Sequence, residues 1–259
     1  MAQLYALVSA GGSPGVTTAA IALALTWPSP VIVAECDPGG GDVLAGLMLA
    51  HIPASQGLLH FAIEAGQGPQ AGAESLAAQL VPLDAGRTRM LLPGLTDPRQ
   101  AVGLAAAWPA VAAALTAHSS DVIADCGRLN AGHAEPLPVL SAASTVAIVM
   151  RPTLRQVWAA RSRVEMLTQL VGRSRLALLL TGPGTHSARE ISRALEIPVA
   201  AVLPDDAKTA ALLSDGLRRR RRPTAGPLLR SVKAAGRELR GHMAVTTQEP
   251  TEAGARCDA

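Results

Sequence analysis

The chain has 259 residues, 49% of them hydrophobic, 17% charged and 2% aromatic, with a formal net charge of +3. That length and apolar content can bury one full core of α/β size, and with so few aromatics the core must be built from Ala, Leu and Val. The three cysteines, Cys36, Cys126 and Cys257, are odd in number and show no C-x-x-C spacing, which argues against a disulfide framework or a zinc site and fits a reducing cytoplasm.

In chain order, the opening MAQLYALVSA carries no charged leader and its apolar run breaks at Gly11-Gly12, so neither a signal peptide nor a transmembrane helix is expected. Short apolar runs then recur at 4–9, 31–35, 89–93, 121–125, 145–150, 176–181 and 199–204, with helical patterns between them. Strands alternating with helices in this way predict a doubly wound α/β fold, a mostly parallel sheet with helices on both faces. Val157, Val164, Leu167 and Val171 keep helical spacing, as do Ile191 and Leu195, where Ser187 is the expected N-cap and Glu190 completes a capping box. Pro28, Pro98, Pro136, Pro152 and Pro198 fall at the junctions, where proline is tolerated. After Pro204 the pattern changes to a short helix over 205–215, a charged turn at 218–222 and a last helix over 227–240. The tail beyond has no period and reads as disordered. The expected divisions are therefore a body over 1–216, a basic segment with its helix over 217–241, and the tail over 242–259.

The segment ALVSAGGSPGVTTAAIALAL reads as a strand, a glycine-rich turn and a helix start, the context a phosphate loop requires. Glycines at 11, 12 and 15 let the backbone turn its N–H groups inward, and a helix starting near Val16 adds its positive dipole end. Against G-x-x-x-x-G-K-[S/T] the stretch Ala10 to Thr17 matches only at Gly15 and Thr17. A glycine-rich turn of this kind also serves as plain structure.

Order along the chain narrows the reading. GGSPGVTT is followed by VIVAECDPGGGD, then DVIADCG, then SAREISRALEIPVAAVLPDDAKTAALLSDG. Over about residues 4–216 this resembles the ParA/MinD group of P-loop ATPases, whose loop reads like K-G-G-x-G-K-T-T. The resemblance implies that Gly11, Gly12, Ser13, Pro14, Gly15, Val16, Thr17 and Thr18 form the loop around ATP or ADP with Mg²⁺. It also implies that Thr17 and Asp125 serve the metal and that Asp37 sits beside the γ-phosphate as the catalytic carboxylate. Hydroxyl and carboxylate oxygens are the hard ligands magnesium prefers. Glu35 falls where the family often has another acid, and Thr181, Pro204 and Asp206 fall where it contacts the base. Without the resemblance, Asp125 reads as a strand-end cap and Asp37 as a turn residue before Pro38.

The departure from the pattern is in the cations. The family's first lysine, which reaches a dimer partner's nucleotide, aligns with Gly11, and its P-loop lysine aligns with Val16. The chain's only lysines are Lys208 and Lys233. Losing a cation that follows charge into the transition state can cost several powers of ten in rate, so hydrolysis is expected to be very slow or absent. The leading expectation is a cytoplasmic organiser or positioning protein with a weakened or lost nucleotide switch, homodimeric or not, acting on a partner assembly or surface. Two alternatives stand beside it: a slow ATPase that borrows Arg128, Arg151 or Arg155, and a nucleotide-free adaptor similar to the CpaE/TadZ proteins of pilus and secretion systems.

Over 227–240, Leu228, Val232, Ala235 and Leu239 share one helical face and Arg230, Lys233, Arg237 and Arg240 the other. This resembles in character the membrane-targeting helix of MinD. With the arginine run at 218–222 it suggests contact with an anionic membrane surface or non-specific nucleic acid through 218–240, placing the protein at the membrane periphery. A helix docked on the body is the plainer alternative. On the polyanion reading, removing 218–259 is expected to leave the body folded.

Overall fold

In the computed structural model, residues 2–12, 14–48, 56–130, 135–215 and 226–246 are described; Ser13, the run 218–222 and the tail beyond 246 lie outside them. The Val-, Leu- and Ala-rich runs form β1 (Leu4–Ser9), β2 (Val31–Glu35), β3 (Val81–Pro82), β4 (Arg89–Leu92), β5 (Asp121–Arg128), β6 (Thr145–Met150), β7 (Leu176–Thr181) and β8 (Val199–Leu203). They make one sheet in the order β3-β4-β2-β5-β1-β6-β7-β8. Every pairing is parallel except β3 with β4. The sequence reading misses β3, a two-residue strand too short to show a period; its Pro82 fits an edge, where no ladder donor is required. It also stops β5 at Asp125, whereas the strand runs through Cys126 and Gly127 to Arg128.

The helices are α1 (Val16–Thr26), α2 (Val43–Gly46), α3 (Leu58–Ala65), α4 (Pro69–Gln79), α5 (Ala101–Leu104), α6 (Trp108–Ala117), α7 (Leu137–Ala142), α8 (Leu154–Val171), α9 (Ala188–Leu195), α10 (Ala207–Ser214) and α11 (Pro227–Thr246). Alternation along the strands splits the core in two. Leu4, Ala6 and Val8 face a layer that includes α3, α4, α6, α7, α8 and α9. Tyr5 and Leu7 face α1, α2, α10 and α11. Ser187 and Glu190 form the expected reciprocal capping box at the start of α9.

α1 is apolar all round, with Ala19 to Ala24 all buried. A helix of that kind is covered on both sides: the sheet lies beneath it and α11 lies across it. Leu228, Leu229, Val232, Ala235 and Leu239 of α11 are buried in this layer at 6% exposure or less. Gly236 allows the close approach, since a Cβ there would lie 3.2 Å from Trp27 Cζ3. The α11 helix also outruns the boundary expected at 240, continuing to Thr246. Trp27 anchors this corner: its Nε1 donates to Asp121 Oδ2 at 2.8 Å, its ring meets Tyr5 edge-on at 5.1 Å, and the Arg240 guanidinium lies 6.0 Å from its centroid.

Candidate nucleotide site

The chain leaves β1 at the middle of the sheet and turns into α1. Gly12 (φ +66°) and Gly15 (φ +92°) hold left-handed backbone conformations that a side chain would strain. Gly15 is the N-cap of α1 and supplies no side-chain oxygen. The first-turn N–H groups of an α-helix have no partner within the helix, which suits them to an anion. Val16, at the lysine position, is 6% exposed and belongs to the apolar layer of α1 and α11. Thr17 and Thr18 are partly exposed.

Parallel pairing brings the acids to this loop. Asp125 pairs in register with Leu7 on one side and Glu35 on the other. Asp125 is 2% exposed; burial pushes its pKa up to about 6, opposed by the Thr17 hydroxyl and by the Gly127 N–H, which donates to Oδ1 at 3.0 Å. Asp37, two residues past β2, accepts from the Gly39 N–H at 2.7 Å and is also raised, mainly by burial. Its carboxylate lies so close to Gly127 that a Cβ there would fall 1.8 Å from Oδ2. Sequence and structure thus place Thr17, Asp37 and Asp125 together at one strand end.

Glu35 has a different part. Its Oε1 accepts from the N–H groups of Asp42 and Val43, and its Oε2 from Gly94, all near 3 Å. It therefore clamps the glycine turn after Asp37 onto the segment after β4. Burial raises it to about 7, with the charges of Asp125 and Asp42 adding and the Val43 and Gly94 N–H groups opposing.

Among the described residues no ion pair involves Glu35, Asp37 or Asp125. Carboxylates beside an anion-binding loop repel a phosphate unless a cation lies between them. The donor set of Thr17, Asp37 and Asp125 fits a magnesium ion held with a phosphate, a hard cation that is bound through few protein oxygens.

The residues expected at the base also converge. Pro14, Gly15, Thr18, Thr181, Gly182, Pro204 and Asp206 line one cavity of about 240 Å³. Thr181 does more than line it, because its hydroxyl donates to the Pro14 carbonyl at 2.9 Å and ties β7 to the phosphate loop. The Asp206 carboxylate caps α10 through the Thr209 N–H and hydroxyl, which hold its pKa low. Of the three arginines raised as substitutes, Arg151 lines this cavity. Sequence reading overlooks Gln156, which packs over Gly12. The available signal was its place in the row Gln156, Ala160, Val164, Leu167, Val171, a polar residue on the core face of α8.

No family model matches the chain, and no curated protein matches it in sequence. Solved structures do match in fold. The septum site-determining protein MinD complexed with Mg-ADP from Pyrococcus horikoshii superposes with a TM-score of 0.72 at 14% identity, covering 96% of this chain and 100% of that one. A ParA family ATPase from Chlorobium tepidum gives 0.70 at 18%, covering 91% and 97%. The MinC:MinD cell division protein complex from Aquifex aeolicus gives 0.70 at 15%, covering 93% and 96%. This chain has the fold of the MinD and ParA ATPases.

Proposed function

We propose that the protein is a ParA/MinD-like organiser that holds a nucleotide in its phosphate loop, hydrolyses it very slowly or not at all, and works by binding a partner assembly or surface. The observation that carries this reading is the pairing of a retained backbone nest with a buried valine at the lysine position. Gly12, Gly15 and the uncapped start of α1 supply N–H groups for phosphate, whereas Val16 lies in the core. Backbone donors hold a ground-state phosphate but add little as charge moves in the transition state. Similarity to a Mg-ADP complex supports nucleotide binding, and similarity to a MinC:MinD complex supports a protein partner. With Gly11 in place of the first lysine, nucleotide-driven homodimerisation is weak.

Calorimetric titration with ATP and ADP, with and without magnesium, tests the reading. ADP and ATP should bind within about tenfold of each other; a hundredfold preference for ATP, or no binding of either, would overturn it. A slow ATPase is the second reading, favoured by the place of Arg151 on the cavity wall. A fixed guanidinium there would supply the charge that Val16 cannot.

The basic C-terminus enters in a restricted form. Because the apolar face of α11 is buried in the body, insertion of that face into lipid would require undocking it. Contact with a polyanion is instead surface electrostatics through the exposed Arg230, Lys233 and Arg237.

A further inference from the structure

Gln156 lies in the first turn of α8, where the other members of its row are apolar. It is 6% exposed, and its Oε1 is buried with no hydrogen-bond partner among the described residues. Its Nε2 lies over the phosphate loop, where a Cβ on Gly12 would be 2.7 Å away; a Cβ on Gly11 would touch Ala159 of the same helix at 3.4 Å. The two glycines let α8 close onto the loop, and the side chain brought nearest is an amide. An unpaired buried acceptor costs stability that an apolar side chain of similar size would not.

The site gives this amide a direction. The base cavity reaches Pro14, Gly15 and Thr18, at the helix end of the loop. Gly12 lies at the strand end, so a nucleotide with its base in that cavity carries its outermost phosphate toward Gly12. We propose that Gln156 contacts that phosphate, its Nε2 donating to a phosphoryl oxygen as an uncharged substitute for the cation missing at Gly11 and Val16. Its buried Oε1 stays unpaired, a cost that the contact to phosphate offsets. The inference rests on the nucleotide-holding reading above. It adds that the loop senses a third phosphate by hydrogen bond rather than by charge, so the resulting preference is small.

The test is calorimetry with Mg-ATP and Mg-ADP on wild type, Gln156→Leu and Gln156→Glu, alongside thermal unfolding of each nucleotide-free protein. Gln156→Leu should weaken ATP about tenfold, the low end for one hydrogen bond to a charged acceptor, and change ADP less than about twofold. The same variant should unfold about 2–4 °C higher without nucleotide, since it removes the orphaned acceptor. Gln156→Glu should weaken ATP further, because it sets a carboxylate against phosphate. Equal ATP affinity in Gln156→Leu and wild type would overturn the inference alone and leave the nucleotide reading intact. Equal loss of both nucleotides with a lowered unfolding temperature would also overturn it, marking the amide as structural. Absence of binding to wild type would remove both readings together.

Discussion

Single residues decide the chemistry here, and the acids at the strand ends decide its pH dependence. Glu35 and Asp125 have folded-state pKa values of about 7 and about 6, above their ordinary carboxylate values. The folded protein therefore keeps protons that the unfolded chain has released between roughly pH 4 and 7, and stability falls as pH rises through that window. For Glu35 alone the loss is on the order of 3 kcal/mol, complete above its folded pKa. The unfolding temperature of the nucleotide-free protein should decline from pH 5 to 7 and then level off; a rise across that range would contradict the placement of these acids. If Asp125 serves the magnesium ion it must be ionised to do so, and stabilisation by magnesium with nucleotide should then be larger at pH 8 than at pH 5. The strand, the glycine turn and the following acids were legible as GGSPGVTT, VIVAECDPGGGD and DVIADCG in that order, but the parts expected of Thr17, Asp37 and Asp125 came only with the resemblance to the ParA/MinD group. The clamp made by Glu35 was not legible, since its partners are backbone N–H groups of Asp42, Val43 and Gly94 in separate segments. Nor was Thr181 as a tether, because its partner is the Pro14 carbonyl, 167 residues away.

At the scale of elements, α11 changes most between sequence and structure. Its two faces were correctly separated by spacing, but spacing does not say whether the apolar face meets lipid or protein. The answer lay in α1, whose unbroken run AAIALA needs cover on the side away from the sheet. Removing 218–259 would strip that cover and expose the face of α1 turned away from the sheet, so the body is not expected to survive the truncation intact. Leu239→Ala, at 1% exposure, should cost about 2–5 kcal/mol in urea unfolding. The triple charge reversal of Arg230, Lys233 and Arg237 to Glu should cost less than about 1 kcal/mol, since those side chains are exposed. If α11 contacts a polyanion, the same reversal abolishes cosedimentation with anionic vesicles or retention on DNA at low salt. Binding that survives the reversal, or is absent from wild type, leaves α11 a purely structural helix. The strands were legible except β3, which has no internal pattern and exists because it pairs with β4.

Across the whole molecule, the sheet order carries the functional reading. β1 lies between β5 and β6, with β2 beyond β5. The glycine turn, Asp37 and Asp125 therefore meet at one end of the sheet, where ligands of open α/β sheets bind. The fold is shared with a ParA family ATPase and with MinD complexed with Mg-ADP; position 16 of this chain holds a buried valine. The most direct measurement of the central claim is steady-state turnover of saturating Mg-ATP by the full chain, beside the double variant Gly11→Lys with Val16→Lys. Wild type should stay at or barely above the uncatalysed background. The double variant should bind ATP more tightly and gain turnover, the stem of the lysine introduced at Val16 threading past the apolar layer to put its amine at the loop. Wild-type turnover equal to that of ordinary ParA-type ATPases, abolished by Asp37→Ala and by Arg151→Ala, would contradict the claim and assign the lysine's role to Arg151.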